Sequence, residues 1–329
     1  MIISKTPYRI SFFGGGSDYP VWYNRYGGEV ISTTIDKYLY ISCRQLPNFF
    51  DHKYRIVYSK VEEVKNLNSI KHIVVKKALK NFNIKKNLEI HYDGELPSRS
   101  GVGSSSSFIV GFLNILNFIN NRKIINQKDL ASQSIKFEQK ILRENVGSQD
   151  QIACATGGIN NLKFNKKGYF IKKIENKNFF KKLNNNLILL YTQKQRYSSN
   201  VAKKFVNTIT SSKKKEIFEI LECVKIAKKL IKNNDLVGFA ELLNYSWQIK
   251  KNLHKDISNS FLDDIYDKAI KNGAIGGKIL GAGSGGFFLF YVPEEKQNFF
   301  LKKMQKFTSI PFKFESEGSK IIFKDKKNI

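Results

Sequence analysis

Leu96-Pro-Ser-Arg-Ser-Gly-Val-Gly-Ser-Ser-Ser-Ser-Phe108 is the stretch from which the rest of the chain is read. A strand-like run, Leu88-Glu-Ile-His-Tyr-Asp93, leads into it, rich in branched and aromatic residues. Behind it, apolar residues at 108, 112, 115, 116 and 119 fall at helical spacing and predict a buried helix. Two glycines and four serines therefore sit at a helix N-terminus. Glycine lets the backbone curl and come close to a ligand. The first amides of a helix lack internal partners, and the dipole adds roughly half a positive charge there. Such a loop suits an anion, most often a phosphate. A Ser-capped helix after a glycine turn explains the same residues equally well. No Gly-Lys-Ser/Thr closes the loop, so it is not a Walker A sequence.

At 329 residues the chain is long enough for one large or two ordinary domains. No apolar run reaches the roughly 18 residues of a membrane helix, and the start lacks a signal-peptide core. A cytoplasmic protein without a membrane partner is expected. Three widely spaced cysteines argue against both a disulfide framework and a zinc site. The formal charge of +28 is spread over short lysine pairs and triplets along the chain. That spread lacks a nucleic-acid-binding module, but the basic field would attract acidic small molecules such as ATP and sugar phosphates.

Residues 2–13 read as a strand broken at Pro7, running into Gly14-Gly-Gly-Ser-Asp18, a polar corner where amides and a carboxylate can meet a ligand. A plain turn remains the alternative. Lys128–Glu144 has helical periodicity and carries Glu138. Asp150 lies near the start of a further helix, where an acid is often only a dipole partner. The Lys- and Asn-rich stretch 175–186 marks the best domain boundary, giving domains 1–180 and 181–329. Beyond it come a buried strand (187–192), helices over 198–205, 213–232, 236–253 and 260–272, and a β-β-α-β ending. The class is α+β, with helices layered on an antiparallel sheet in the second half. Gly281-Ala-Gly-Ser-Gly-Gly286 fits the G-x-G-x-x-G pattern, but a strand, Phe287-Phe-Leu-Phe-Tyr-Val292, follows it. A dinucleotide fingerprint requires a helix there, so this is read as a glycine hairpin that can press against a substrate.

Together, the glycine corner ending in Asp18, the Pro-x-x-x-Gly-x-Gly-Ser-Ser loop and the late glycine hairpin resemble the GHMP kinase superfamily, over nearly the whole chain. Pro7–Pro20, Thr34-Ile-Asp-Lys-Tyr38 and Gly147-Ser-Gln-Asp-Gln-Ile-Ala153 look like the D-glycero-D-manno-heptose 7-phosphate kinases in particular. Galactokinases carry Gly-Glu-His-x-Asp where this chain has Gly14-Gly-Gly-Ser-Asp18, which argues against galactose.

The resemblance implies a two-domain architecture. An N-terminal mixed βαβ-type nucleotide-binding domain is followed by a C-terminal ferredoxin-like antiparallel sheet with helices. It implies ATP-dependent phosphorylation of the anomeric hydroxyl of a heptose phosphate, with ATP on Gly101, Val102, Gly103, Ser104, Ser105 and Ser106. Mg²⁺ would sit on Ser105 and Glu138. Asp150 would accept or orient the hydroxyl proton, and Arg9 would stabilise the transferring phosphoryl group. A strand arginine pairing with Asp18 is the bland reading of Arg9. Gly15, Gly16, Ser17 and Asp18 would bind the sugar, with Gly283 and Ser284 closing from the second domain. Arg196 is a candidate grip for the substrate's own phosphate. The assembly state is open, with a homodimer among the options. Another anomeric sugar kinase and a non-catalytic sugar sensor are the alternatives; the intact Ser105, Glu138 and Asp150 argue against the sensor.

Overall fold

β1 (Ile2–Phe13) and β2 (Gly28–Gln45) form the long antiparallel pair on which the first sheet is built. The first residues of β1 alternate between buried and half-buried, and from Thr6 onward every residue is buried. One face is thus covered at the start and both faces at the end that leads to Gly14. The computed structural model describes residues 1–121, 123–194, 206 and 208–325. β1 does not break at Pro7. The strand continues through it with a register irregularity between Pro7 and Tyr8, which accommodates a residue with no N–H to give.

After α1 (Pro20–Tyr26), β2 serves several partners along its length. It pairs with β6 (Asn160–Asn165) through residues 28–32 and with β5 (Leu88–Gly94) through residues 39–45. β3 (Tyr54–Val57) adds in parallel to β5, and β4 (Val61–Val64) hairpins onto β3. α2 (Ile73–Asn81) follows, and β7 (Gly168–Lys173) pairs with β6 as a hairpin. Against this sheet lies α3 (Ser104–Asn121), buried continuously from Ser106 to Ile119. Its apolar run of phenylalanine, leucine and isoleucine has no solvent face to spend on charge. α4 (Gln127–Lys136) and α5 (Gln149–Thr156) pack beside it.

The stretch 175–186 is not an open linker. Asn176 caps α6 (Lys177–Asn185) by accepting from the Phe179 amide, and Phe179, Phe180 and Leu183 are buried. Then come β8 (Leu187–Tyr191), α7 (Lys214–Lys232), α8 (Leu236–Lys251), α9 (Ser260–Lys271), β9 (Gly276–Ile279), β10 (Phe287–Tyr291), α10 (Glu294–Lys303) and β11 (Thr308–Ile310). The second sheet runs β11-β8-β10-β9, antiparallel throughout. The tail then returns to the first sheet, where β12 (Phe314–Glu315) pairs with β2 and β13 (Lys320–Lys324) with β1.

Phe239 of α8 joins the two halves of the core. Its ring meets Phe12 at 5.5 Å, Phe13 at 5.1 Å and Phe179 at 5.5 Å, each edge-on. Edge-to-face pairs of this kind contribute about 0.5–1.5 kcal/mol each beyond area burial. They fix the end of β1, and so the glycine corner, against the second half of the chain. Among the described residues no helix is long and apolar enough to cross a membrane.

Candidate active site

The loop 96–103 enters α3 through two left-handed glycines, Gly101 (φ 93°) and Gly103 (φ 76°). A side chain on Gly101 would meet the Leu280 carbonyl oxygen at 2.5 Å, and one on Gly103 would meet the Arg9 side chain at 3.1 Å. These glycines are required twice over, by conformation and by close approach. Gly101, Val102 and Gly103 are buried, Ser104 is half-buried, and Ser105 is exposed. The α3 N-terminus therefore presents open amides and a dipole, as an anion-binding loop must.

Arg9, on β1, is 3% exposed and reaches this loop. Its Nη1 donates to the Gly101 carbonyl at 2.5 Å, and its own amide donates to the Val102 carbonyl at 3.0 Å. The other face of the guanidinium grips Asp150 in a fork, Nε to Oδ1 at 2.7 Å and Nη2 to Oδ2 at 2.8 Å. Burial alone would lower the Arg9 pKa, yet the Asp150 carboxylate outweighs it and the net shift is upward. Such a bidentate, charge-assisted pair fixes orientation as well as charge. The bland pairing of Arg9 with Asp18 is thus replaced by one with Asp150. Asp150 occupies the first turn of α5, and its side chain remains 25% exposed. Each carboxylate oxygen keeps a lone pair free of Arg9.

Glu138 lies in a π-helical segment, Phe137–Leu142, that continues α4 and ends at left-handed Arg143. The widened turn lets neighbouring residues serve one site. Glu138 faces α3, while the Gln139 carboxamide donates to the Val146 carbonyl at 3.2 Å and the Ser148 hydroxyl at 3.0 Å, bracing the loop before Asp150. Glu138 is fully buried, and the donors bonded to it are neutral: the Ser106 hydroxyl at 3.2 and 3.0 Å, and the Gln151 amide. Burial pushes its pKa up to about 8, against those hydrogen bonds and with help from the Glu144 and Asp150 charges. A buried carboxylate without a bonded cation is costly when ionised. That donor set, a carboxylate with a hydroxyl beside phosphate-loop amides, fits a divalent magnesium ion. The serine that meets Glu138 is Ser106. Ser105, one helical step away, points outward. The hydroxyl bonded to Glu138 is thus not that of Ser105, the serine expected to share magnesium with it.

The corner at Gly14 is held by Ser17, whose hydroxyl donates to the Gly14 carbonyl at 2.7 Å. Asp18 is 1% exposed and accepts from the amides of Gly16 (2.9 Å) and Gln149 (3.3 Å). Burial, then the Asp150 charge, raise its pKa, and these amides oppose them. Its carboxylate thus ties the glycine corner to the turn before α5, and its bonds run to backbone rather than outward.

The glycine hairpin 281–286 joins β9 to β10 as two strands, so it is no dinucleotide fingerprint. It packs on the loop 96–103 itself. The Phe287 amide donates to the Ser100 carbonyl at 3.0 Å, and a side chain on Gly286 would meet that oxygen at 2.1 Å. Ser284 (φ 67°) donates its amide to the Ile257 carbonyl at 2.9 Å and its hydroxyl to Asp256, while Gly283 seats on Ile257. Lys250, from α8, donates to the carbonyls of Ile279 (2.9 Å) and Gly281 (2.5 Å). Two supports were not legible beforehand: this lysine, and Lys278, which is 5% exposed and donates to the Phe12 carbonyl at 2.5 Å. Burial depresses the Lys278 amine to about 8. Arg196 lies outside the described residues.

Two family models match the chain: the GHMP kinases N terminal domain over residues 68–158 and the GHMP kinases C terminal domain over residues 227–309. D-glycero-alpha-D-manno-heptose 7-phosphate kinase of Campylobacter jejuni is 29% identical, covering 97% of this chain and 98% of its own length. Mevalonate kinase of Methanocaldococcus jannaschii is 26% identical over 73% of this chain and 78% of its own. Among solved structures, a D-glycero-D-manno-heptose 1-phosphate kinase from Bacteroides thetaiotaomicron superposes with a TM-score of 0.80 at 20% identity, covering 99% of this chain and 100% of the other.

Proposed function

The chain belongs to the GHMP kinases, and we propose that it transfers the γ-phosphoryl group of ATP to the anomeric hydroxyl of D-glycero-D-manno-heptose 7-phosphate. It is a sugar-directed phosphotransferase with ATP as donor. The acceptor and the position phosphorylated are the proposed part, supported by the Campylobacter relative named for that substrate. The observation that carries the reading is the Arg9–Asp150 fork standing against Gly103 of the phosphate loop.

In this scheme the amides at the start of α3, from Gly101 to Ser106, hold the ATP phosphates. Asp150 accepts or orients the proton of the acceptor hydroxyl as its oxygen attacks the γ-phosphorus and ADP leaves. A positioned base of this kind is worth about 10²–10⁴ in rate. Arg9 fixes the carboxylate and supplies positive charge beside the transferring group. Glu138 and Ser106 would hold magnesium, which neutralises phosphate charge when bound; Ser105 is the alternative hydroxyl ligand. Gly15, Gly16, Ser17 and Asp18 form the sugar side of the site. Gly283 and Ser284 of the second unit are proposed to close over it, and Arg196 is proposed for the substrate phosphate. The division into units 1–180 and 181–329 is part of this proposal, with the tail strands β12 and β13 rejoining the first sheet. The same reading places the enzyme in the cytoplasm, in nucleotide-heptose synthesis for surface polysaccharide.

The test is ADP release from magnesium-ATP with heptose 7-phosphate, heptose 1-phosphate, free heptose, mannose, fucose and galactose. Turnover confined to heptose 7-phosphate supports the assignment. Turnover with another sugar keeps the kinase and removes that acceptor, and no turnover with any of them favours a sensor.

A further inference from the structure

Three glycines open the polar corner, and they are glycines for different reasons. Gly14 has φ 89°, and a side chain there would strike the Glu29 carbonyl oxygen at 1.9 Å. Gly16 has φ 105°. Both are demanded by the backbone. Gly15 has no left-handed φ, and an added Cβ would meet only the Gln149 amide nitrogen at 3.5 Å and the Ser11 hydroxyl at 3.6 Å, ordinary van der Waals distances. Neither conformation nor crowding requires glycine at this position. What the missing side chain leaves is a notch, half-open to solvent at Gly15.

Its walls are unusual. Ser11 is 6% exposed and Gln149 is 7% exposed. The Ser11 hydroxyl and the Gln149 carbonyl oxygen have no hydrogen-bond partner among the described residues. Leaving a buried polar atom unpaired costs about 1–3 kcal/mol, so one on each of the two residues that wall this notch asks for a reason. Both belong to the reaction side of the molecule. Ser11 lies two residues from Arg9 on β1, hence on the same strand face, and Gln149 immediately precedes Asp150 in α5.

We propose that the notch at Gly15, walled by Ser11 and the Gln149 carboxamide, is a specificity subsite that reads a hydroxyl of the acceptor sugar next to the one phosphorylated. A sugar hydroxyl both donates and accepts, and so does the wall. The serine hydroxyl plays either role, and the carboxamide offers one of each. The inference rests on the kinase reading above and deepens it. A site built to hydrogen-bond a hydroxyl rejects the analogue that lacks it, because its own polar atoms are then left unpaired.

The test uses the full chain and the acceptor that the wild type turns over best, with its deoxy analogue and epimer at the neighbouring carbon. Gly15→Ala fits the available space and fills the notch. Ser11→Ala removes one wall and keeps the volume nearly constant. Thermal melting confirms that each variant is folded. The acceptor KM is expected to rise roughly threefold to tenfold in each variant, the net worth of one hydrogen bond, while the KM for ATP stays at the wild-type value. The preference for the native sugar over its deoxy analogue falls by a similar factor in Ser11→Ala. A merely structural role would move both KM values together and leave the preference intact. Unchanged acceptor KM and preference in both variants, with the wild type active, overturn the subsite alone. A wild type that turns over no sugar overturns the kinase reading and the subsite with it.

Discussion

Asp150 and Glu138 are two carboxylates at the edges of one phosphate loop, and the protein treats them in opposite ways. Asp150 is gripped by a buried guanidinium through two hydrogen bonds and keeps a quarter of its side chain open. Glu138 is sealed in and bonded by a hydroxyl and an amide, with its pKa near 8. The first has its counter-charge built in, so its orientation is settled before substrate arrives. The second is left with a deficit that a divalent cation would remove. Two carboxylates in such unlike surroundings suit a phosphotransferase, where one acid handles a proton and another holds metal. The contrast is what the proposed division of roles between the two acids rests on.

The largest effect that could break this contrast comes from Asp150→Asn. It keeps the shape of the fork but removes the base, and kcat should fall by about 10²–10⁴ with little change in ATP affinity. Stopped or steady-state ADP release checks it, and a loss below tenfold would remove Asp150 from the chemistry. Arg9→Lys comes next. Lysine is a point charge that cannot span both Asp150 oxygens and the Gly101 carbonyl at once. Losing a charge-assisted hydrogen bond is worth about 1.5–3 kcal/mol, so kcat/KM should drop roughly tenfold to a hundredfold.

A finer test sets Ser106→Ala beside Ser105→Ala. Ser106 is the hydroxyl on Glu138, so its loss should raise the magnesium concentration for half-maximal activity by roughly threefold to tenfold. Ser105→Ala should be near silent, and the reverse order would show that the helix presents its other serine to the metal. The smallest effect is on stability. Glu138 has a folded pKa of about 8, raised from the ordinary 4.5. The folded state therefore binds the proton more tightly than the unfolded state does. Its contribution is fully present below pH 4.5 and is lost as pH rises through 8. Without magnesium, the wild-type Tm should decline across that window more steeply than that of Glu138→Gln. Parallel curves would place the burial cost elsewhere.

Much of the site could be read from the sequence because its signals are local. Gly101 and Gly103 stand before a buried helix as their spacing predicts, Asp150 lies in a first helical turn, and the strand after Gly286 excludes a dinucleotide fingerprint. What escaped depends on distant parts of the chain. Whether Arg9 meets Asp18 or Asp150 is decided by where α5 docks on β1, 141 residues away in sequence. Choosing between Ser105 and Ser106 requires the rotation of α3, one 100° step, which tertiary packing sets. The π-turn at Phe137–Leu142 has no compositional signature, since ordinary helical periodicity runs through it. The stretch 175–186 reads as a domain boundary from its lysines and asparagines, and within it Phe179, Phe180 and Leu183 seat a helix on the core. Lys278 and Lys250 were invisible among so many lysines; only burial separates them from the surface ones.

The most direct measurement is a magnesium titration of ADP release in wild type, Asp150→Asn and Glu138→Gln, using the acceptor that the wild type prefers. The division of roles predicts that Glu138→Gln needs more magnesium and recovers part of its rate as the ion is raised. Asp150→Asn should stay slow at every concentration while keeping the wild-type midpoint. If both variants respond to magnesium in the same way, the two carboxylates do not have separate tasks and the account is wrong.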